Sequence, residues 1–107
     1  MHRQNRIEAE SVADKFVSKT ANATLNVYET LVYADSTAGA FTITLPPVAE
    51  AKGVMFSIYM TVDNGDVTIA DQDDSQGWDG DYTLNDVDDG FLFYSDGVGW
   101  WNMSAKT

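Results

Sequence analysis

At 107 residues the chain has room for one domain with one core, which excludes the multidomain plan of a larger enzyme. Six Lys and Arg stand against 17 Asp and Glu, a formal charge of −11, so phosphate backbones and anionic lipid are repelled and neither nucleic acid nor a membrane surface is an expected partner. The absence of cysteine rules out disulfides, thiolate metal sites and a cysteine nucleophile, while 44% hydrophobic and 12% aromatic content suffices for a packed globule.

The first residues, Met1-His2-Arg3-Gln4-Asn5-Arg6, are followed by Ile7-Glu8-Ala9-Glu10-Ser11, so no apolar stretch follows the positive charge and no secretory leader is expected. No run approaches the roughly 20 apolar residues of a membrane helix. Over residues 6–19 the pattern predicts a short helix, with Ile7, Val12, Phe16 and Val17 on one side and Glu8, Glu10 and Asp14 ahead of Lys15 and Lys19. The alternative is an extended polar arm that becomes ordered against a partner. Residues 1–20 therefore read as an arm and 21–107 as a β-domain.

From about residue 23 the period changes to two. Phe41, Ile43 and Leu45 alternate with threonines, and Val54, Phe56, Ile58, Met60 and Val62 alternate with Met55, Ser57, Tyr59 and Thr61, each set fitting one face of a strand. Further strands are predicted at 25–33, 67–70, 82–84, 91–95 and 100–104. Turn signals separate them: Pro46-Pro47, Asp63-Asn64-Gly65-Asp66, Asp79-Gly80-Asp81, Asp89-Gly90 and Asp96-Gly97. Short strands and Gly/Asp turns predict an all-β domain, a small antiparallel sandwich or barrel-like fold, and no internal repeat suggests a solenoid.

Charge divides the chain sharply. Residues 1–62 carry a net −1, and residues 63–107 carry eleven aspartates against Lys106, a net −10. Two faces or two ends with different neighbours are expected, the near-neutral one for docking and the acidic one for solvent.

Asp71, Asp73, Asp74, Asp79 and Asp81 crowd five carboxylates into eleven positions, a composition that Ca2+ with its six to eight oxygen ligands could use. The spacing departs from the EF-hand, with Gln76 where glycine is required and Tyr82 where the bidentate glutamate belongs, and a solvated acidic loop accounts for it as well. Paired carboxylates also raise glycoside hydrolysis, but aspartates in turns are poorly placed for tuning by burial, and with His2 the sole histidine neither a Ser-His-Asp triad nor a zinc site is supported. No enzyme activity is expected. Trp78, Trp100, Trp101, Tyr82 and Tyr94 could form a carbohydrate platform, against the alternative that strand aromatics fill a core or a subunit contact. Adjacent Trp100 and Trp101 must point to opposite faces, which favours a contact with a second layer or another subunit. Asn22-Ala23-Thr24 and Asn102-Met103-Ser104 match the glycosylation pattern by spacing alone.

Two segments carry a resemblance. The stretch Thr42-Ile43-Thr44-Leu45-Pro46-Pro47, continuing through Lys52-Gly53 to Phe56-Ser57-Ile58, and the stretch Ser95-Asp96-Gly97-Val98-Gly99-Trp100 resemble segments of small β-domains in bacteriophage virion proteins, over roughly residues 25–103. The sequence departs from that pattern at Trp101-Asn102-Met103, where an apolar alternation is usual. The resemblance implies a homotrimer and a structural role. Because the module makes up this sequence, it favours a capsid decoration (cement) protein or short head fibre that binds the major capsid protein on the outside of the virion, over a tail-fibre-type or glycan-binding module for host attachment. In that reading His2, Arg3, Arg6, Ile7, Val12 and Phe16 contact the capsid. Phe41, Ile43, Phe56, Ile58, Trp100 and Trp101 then line the core or the trimer interface.

Overall fold

Alternating apolar residues lay down nine strands among the described residues, 16–78 and 80–104 of the computed structural model. They are β1 (Phe16–Lys19), β2 (Ala23–Thr24), β3 (Leu31–Asp35), β4 (Phe41–Thr44), β5 (Met55–Val62), β6 (Val67–Ala70), β7 (Tyr82–Leu84), β8 (Gly90–Ser95) and β9 (Trp100–Asn102). The fold is all-β. Phe16–Lys19 is a strand, not the last turn of a helix, and it belongs to a sheet, so the β-structure begins ahead of residue 21. The remainder of the expected helix or arm, including His2, Arg3, Arg6, Ile7 and Val12, lies outside the described residues.

Two mixed sheets result, one ordered β1-β3-β5-β8-β9 and the other β2-β4-β6-β7. The expectation of a purely antiparallel arrangement is overturned: β1 with β3, β3 with β5, β2 with β4, and β4 with β6 all pair in parallel. The reason is the winding of the chain. From β1 to β6 each strand is followed by one in the other sheet, so the chain returns to a given sheet running in the same direction. The turns at Pro46-Pro47 and Asp63–Asp66 therefore carry the chain between sheets and do not close hairpins. Parallel coiling thus arises without any sequence repeat, since Leu31 lies beside Ser57 and Phe41 beside Val67 by matched spacing alone. Only after β6 do antiparallel pairs appear, β6 with β7, β5 with β8 and β8 with β9.

The expected strand 25–33 is shortened to Leu31–Asp35. Asn26 and Glu29 make a turn ahead of it, with Tyr28 N–H donating to Asn26 Oδ1 at 2.8 Å and Asn26 N–H to Glu29 Oε1 at 3.0 Å. Both sheets contribute to one buried cluster. Val32, Phe56, Ile58, Met60 and Phe93 come from the larger sheet, and Ile43, Leu45, Val67, Ile69 and Leu84 from the smaller sheet and the residue after β4. Burying each such side chain contributes about 1.5–3 kcal/mol relative to exposure.

Successive windings are fastened at one end by Ser36. Its buried Oγ donates to Val62 O at 3.0 Å and accepts Asn64 N–H at 2.7 Å, and Asn64 Nδ2 reaches Thr37 O. Gly65 lies so close to the preceding winding that a Cβ there would stand 2.5 Å from the Ala40 nitrogen. The charge halves of the sequence become ends of the fold: first-half strands occupy one side of both sheet orders, and β6, β7, β8 and β9 the other.

Candidate interaction surface

In each strand of the larger sheet, one parity is spent on the core and the other points outward. Strand register assembles the outward residues into rows: Phe16, Leu31, Ser57 and Leu92; Ser18, Tyr33, Tyr59 and Gly90; Met55, Tyr94 and Trp101. These three rows contain no Asp, Glu, Lys or Arg, and the next outward residue of β3, Asp35 beside Val62, puts a carboxylate at their end. Phe16, Leu31, Tyr33, Met55, Tyr59 and Trp101 are each 38–47% exposed, which is far more than a strand residue covered by a second layer would show. Phe16 and Tyr33 rings lie 4.9 Å apart and tilted by 38°, and Tyr33 meets Tyr59 edge-on at 6.3 Å and 64°. The outer face of the smaller sheet is built differently. Buried Ile43, Val67 and Leu84 turn Thr24, Thr42, Thr44, Thr68 and Thr83 outward, and these pair across strands as hydroxyl-bearing neighbours. One sheet presents threonines to solvent, and the other presents aromatic and aliphatic side chains.

Carboxylates at the rim of the apolar face are tied to its polar atoms. Tyr59 Oη donates to Asp88 Oδ1, and this bond pushes the tyrosine above its ordinary pKa. Asp96 accepts the backbone N–H groups of Gly99 (2.8 Å) and Val98 (2.9 Å) and the Trp101 indole N–H (2.9 Å). Those donors, Gly99 first, hold its carboxyl below the usual range. Asp35, at the end of β3, is lowered likewise by the Thr37 hydroxyl and N–H. At Glu29 burial pushes upward, but Lys19 at 2.9 Å and the Asn26 N–H outweigh it and leave the group lowered.

Three of the described aspartates of the cluster have separate partners. Asp71 accepts Ser75 N–H at 3.3 Å, Asp74 accepts Val48 N–H at 3.0 Å, and Asp81 accepts the Trp78 indole N–H at 3.0 Å. Asp73 sits at φ 61° in the left-handed region, and Asp79 lies outside the described residues. Among the described residues no three His, Asp or Glu side chains come together to hold an ion. Asp71, Asp74 and Asp81 serve as acceptors for N–H groups, which is what short carboxylates do well.

The aromatic residues expected as a sugar platform are dispersed. Trp78 and Tyr82 pack with Phe91 and Phe93 at centroid distances of 5.0–5.8 Å, in part against the core. Trp100 is 2% exposed and meets Phe56 edge-on at 5.4 Å, its indole N–H buried without a partner, whereas Trp101 and Tyr94 belong to the outer face. Phe41, Ile43, Phe56, Ile58 and Trp100 all lie in the core, and Trp101 alone of that set faces outward. Phe16 is on the outer face, in the edge strand. An open hollow of about 230 Å³, lined by residues 20–22 and 38–41, holds no ionisable side chain.

Leu31, Tyr33, Met55 and Tyr59 lie outside the residues that motif and composition single out. Their signal was present in β5, where Met55 and Tyr59 occupy the parity that a half-solvated strand fills with polar residues. The two segments that carried the resemblance meet in space: Gly53 N–H donates to Ser95 O at 2.8 Å, and Ser95 Oγ donates to Val48 O at 2.6 Å. No known protein family, no curated protein and no solved structure matches this chain.

Proposed function

We propose that this chain is a structural protein that acts by adhesion, not catalysis, and that it decorates the outside of a bacteriophage capsid by binding the major capsid protein. The observation that carries the reading is the set of apolar and aromatic rows on the outer face of the five-stranded sheet, bordered by Asp35, Asp88 and Asp96, in a molecule of charge −11. Patches of that kind mark contacts with other macromolecules. A cement protein stabilises a shell by binding only its assembled form, which calls for a rigid body and a broad contact. Two sheets closed over one core as a β-sandwich supply the body. The capture of aspartates by turn N–H groups supports the non-catalytic reading, since among the described residues these carboxylates are engaged by N–H groups and not set against one another.

The phage setting rests on the resemblance of the Thr42–Ile58 and Ser95–Trp100 segments. In that setting the segment ahead of β1 reaches the capsid through His2, Arg3, Arg6, Ile7 and Val12, and Phe16 meets it from the edge strand of the sheet. A host-glycan role is favoured less: Phe16, Tyr33 and Tyr59 are tilted against one another and do not offer coplanar rings for sugars to lie on. The test is peptide mass spectrometry of particles purified from the source of the gene. Peptides of this chain at a fixed ratio to the major capsid protein are the expected result. Their absence from particles in a culture that makes the protein overturns the reading, and a saturable change in tryptophan fluorescence with host polysaccharide would replace it with the glycan role.

A further inference from the structure

We infer that Asn64 is a modification site held shut by the fold: its side-chain amide converts to a carboxylate only when the corner between β5 and β6 opens, and the conversion unfastens that corner from the one before it. Asn64-Gly65 is the one Asn-Gly step in the chain. Glycine makes such a step reactive, because no side chain shields its nitrogen and its backbone turns freely. In the reaction the Gly65 nitrogen gives its proton to solvent base and bonds to Asn64 Cγ, and the Cγ–Nδ2 bond breaks to release ammonia. Water then opens the five-membered imide at either carbonyl, leaving aspartate or isoaspartate, in which the main chain runs through the side-chain carbonyl.

The corner is pinned to residues 36–41 at every second position. Val62 O accepts both the N–H and the Oγ of Ser36 at 3.0 Å, and Asp66 O accepts the Phe41 N–H at 3.2 Å. Between them, Asn64 N–H donates to Ser36 Oγ at 2.7 Å and Asn64 Nδ2 to Thr37 O at 2.8 Å. Ring closure needs two movements that these contacts oppose. The side chain must leave Thr37 O to bring Cγ to the Gly65 nitrogen, and the peptide unit joining residues 64 and 65 must rotate while Gly65 lies against the Ala40 backbone. Glycine thus supplies the reactive nitrogen, and its close packing locks it. The reaction therefore runs through local opening, at the rate of the unfolded step multiplied by the opened fraction. Once made, the product cannot refasten. A carboxylate has no N–H to give Thr37 O, it adds charge between Asp63 and Asp66 and near the Asp35 that Thr37 holds, and isoaspartate also lengthens the main chain between the pinned positions.

The experiment incubates the full chain at mildly alkaline pH, folded in buffer and unfolded in guanidinium chloride, and follows conversion at Asn64 by peptide mass spectrometry. The expected result is conversion slower by about tenfold or more in the folded chain. Ser36→Ala removes the acceptor of the Asn64 N–H and should speed conversion in the folded state. Should that variant fail to fold, guanidinium below the unfolding midpoint, which raises the opened fraction of the wild type, should have the same effect. Thermal melting then reads the consequence. Asn64→Asp should melt several degrees below Asn102→Asp, which adds the same charge at an exposed position on β9 and keeps the oxygen that accepts the Ser104 N–H. Asn64 left intact in the unfolded chain, equal rates in the folded and unfolded chains, a folded Ser36→Ala that converts no faster than wild type, or an Asn64→Asp chain that melts with Asn102→Asp overturns the inference.

Discussion

Phe93 shows how one residue serves both packing and placement. It is fully buried, contacts Trp78, Tyr82 and Phe91, and sits between the outward Leu92 and Tyr94, so its burial fixes which neighbours face out. Phe93→Ala should lower stability by about 3–5 kcal/mol in urea denaturation, the cost of lost transfer plus a cavity. Asp96 acts by electrostatics instead. Its folded pKa is depressed, so its contribution is present above the unfolded carboxylate value of about 3.9 and is lost as pH falls through the lower folded value. Asp96→Asn keeps an acceptor and removes the titration. The variant should be less stable than wild type at pH 7, and the gap in urea midpoint should close as both are taken to about pH 2. A gap that persists unchanged there would mean that shape, not charge, is what Asp96 supplies.

Strands were legible where alternation was strict. Phe41–Thr44 and Met55–Val62 follow from Phe41, Ile43, Phe56, Ile58 and Met60, because the period of two allows no other regular structure to bury those residues together. Connectivity was not legible. Asn64-Gly65 reads locally as a hairpin turn, yet here it lifts the chain from one sheet to the other, since the partner of β5 is decided by what covers Ile58 and not by the turn residues. Gly65 records the difference: it is needed because the preceding winding passes against it, a contact between distant segments that local sequence does not announce. Gly65→Ala should therefore cost about 1–3 kcal/mol through overpacking against backbone that cannot rotate away. Thermal melting beside Gly80→Ala, where a Cβ meets nothing within 4 Å, separates this contact from the general strain of a left-handed glycine. At the interaction face, residue types were visible but their assembly was not, because Leu31, Tyr59 and Trp101 come onto one face only through register across three pairings.

At the scale of the molecule, the sequence's charge division survives as geometry: a net −10 is carried by residues 63–107, whose described strands fill one end of both sheets. Self-repulsion there opposes the folded state, and the attachment of aspartates to turn N–H groups offsets part of it. Raising ionic strength shortens the Debye length from about 30 Å at 0.01 M to about 10 Å at 0.1 M, so repulsion between turns should fade well before the close hydrogen bonds do. The melting temperature should accordingly rise by several degrees over that range in NaCl. Calcium then distinguishes screening from binding. Because Asp71, Asp74 and Asp81 each accept from a different N–H, CaCl2 at matched ionic strength should shift the midpoint little beyond what its stronger screening as a divalent ion accounts for, and MgCl2 should match it. A further rise with calcium over magnesium that saturates at low concentration and is reversed by EDTA would be the mass-action signature of a bound ion, and would require these loops to rearrange around it.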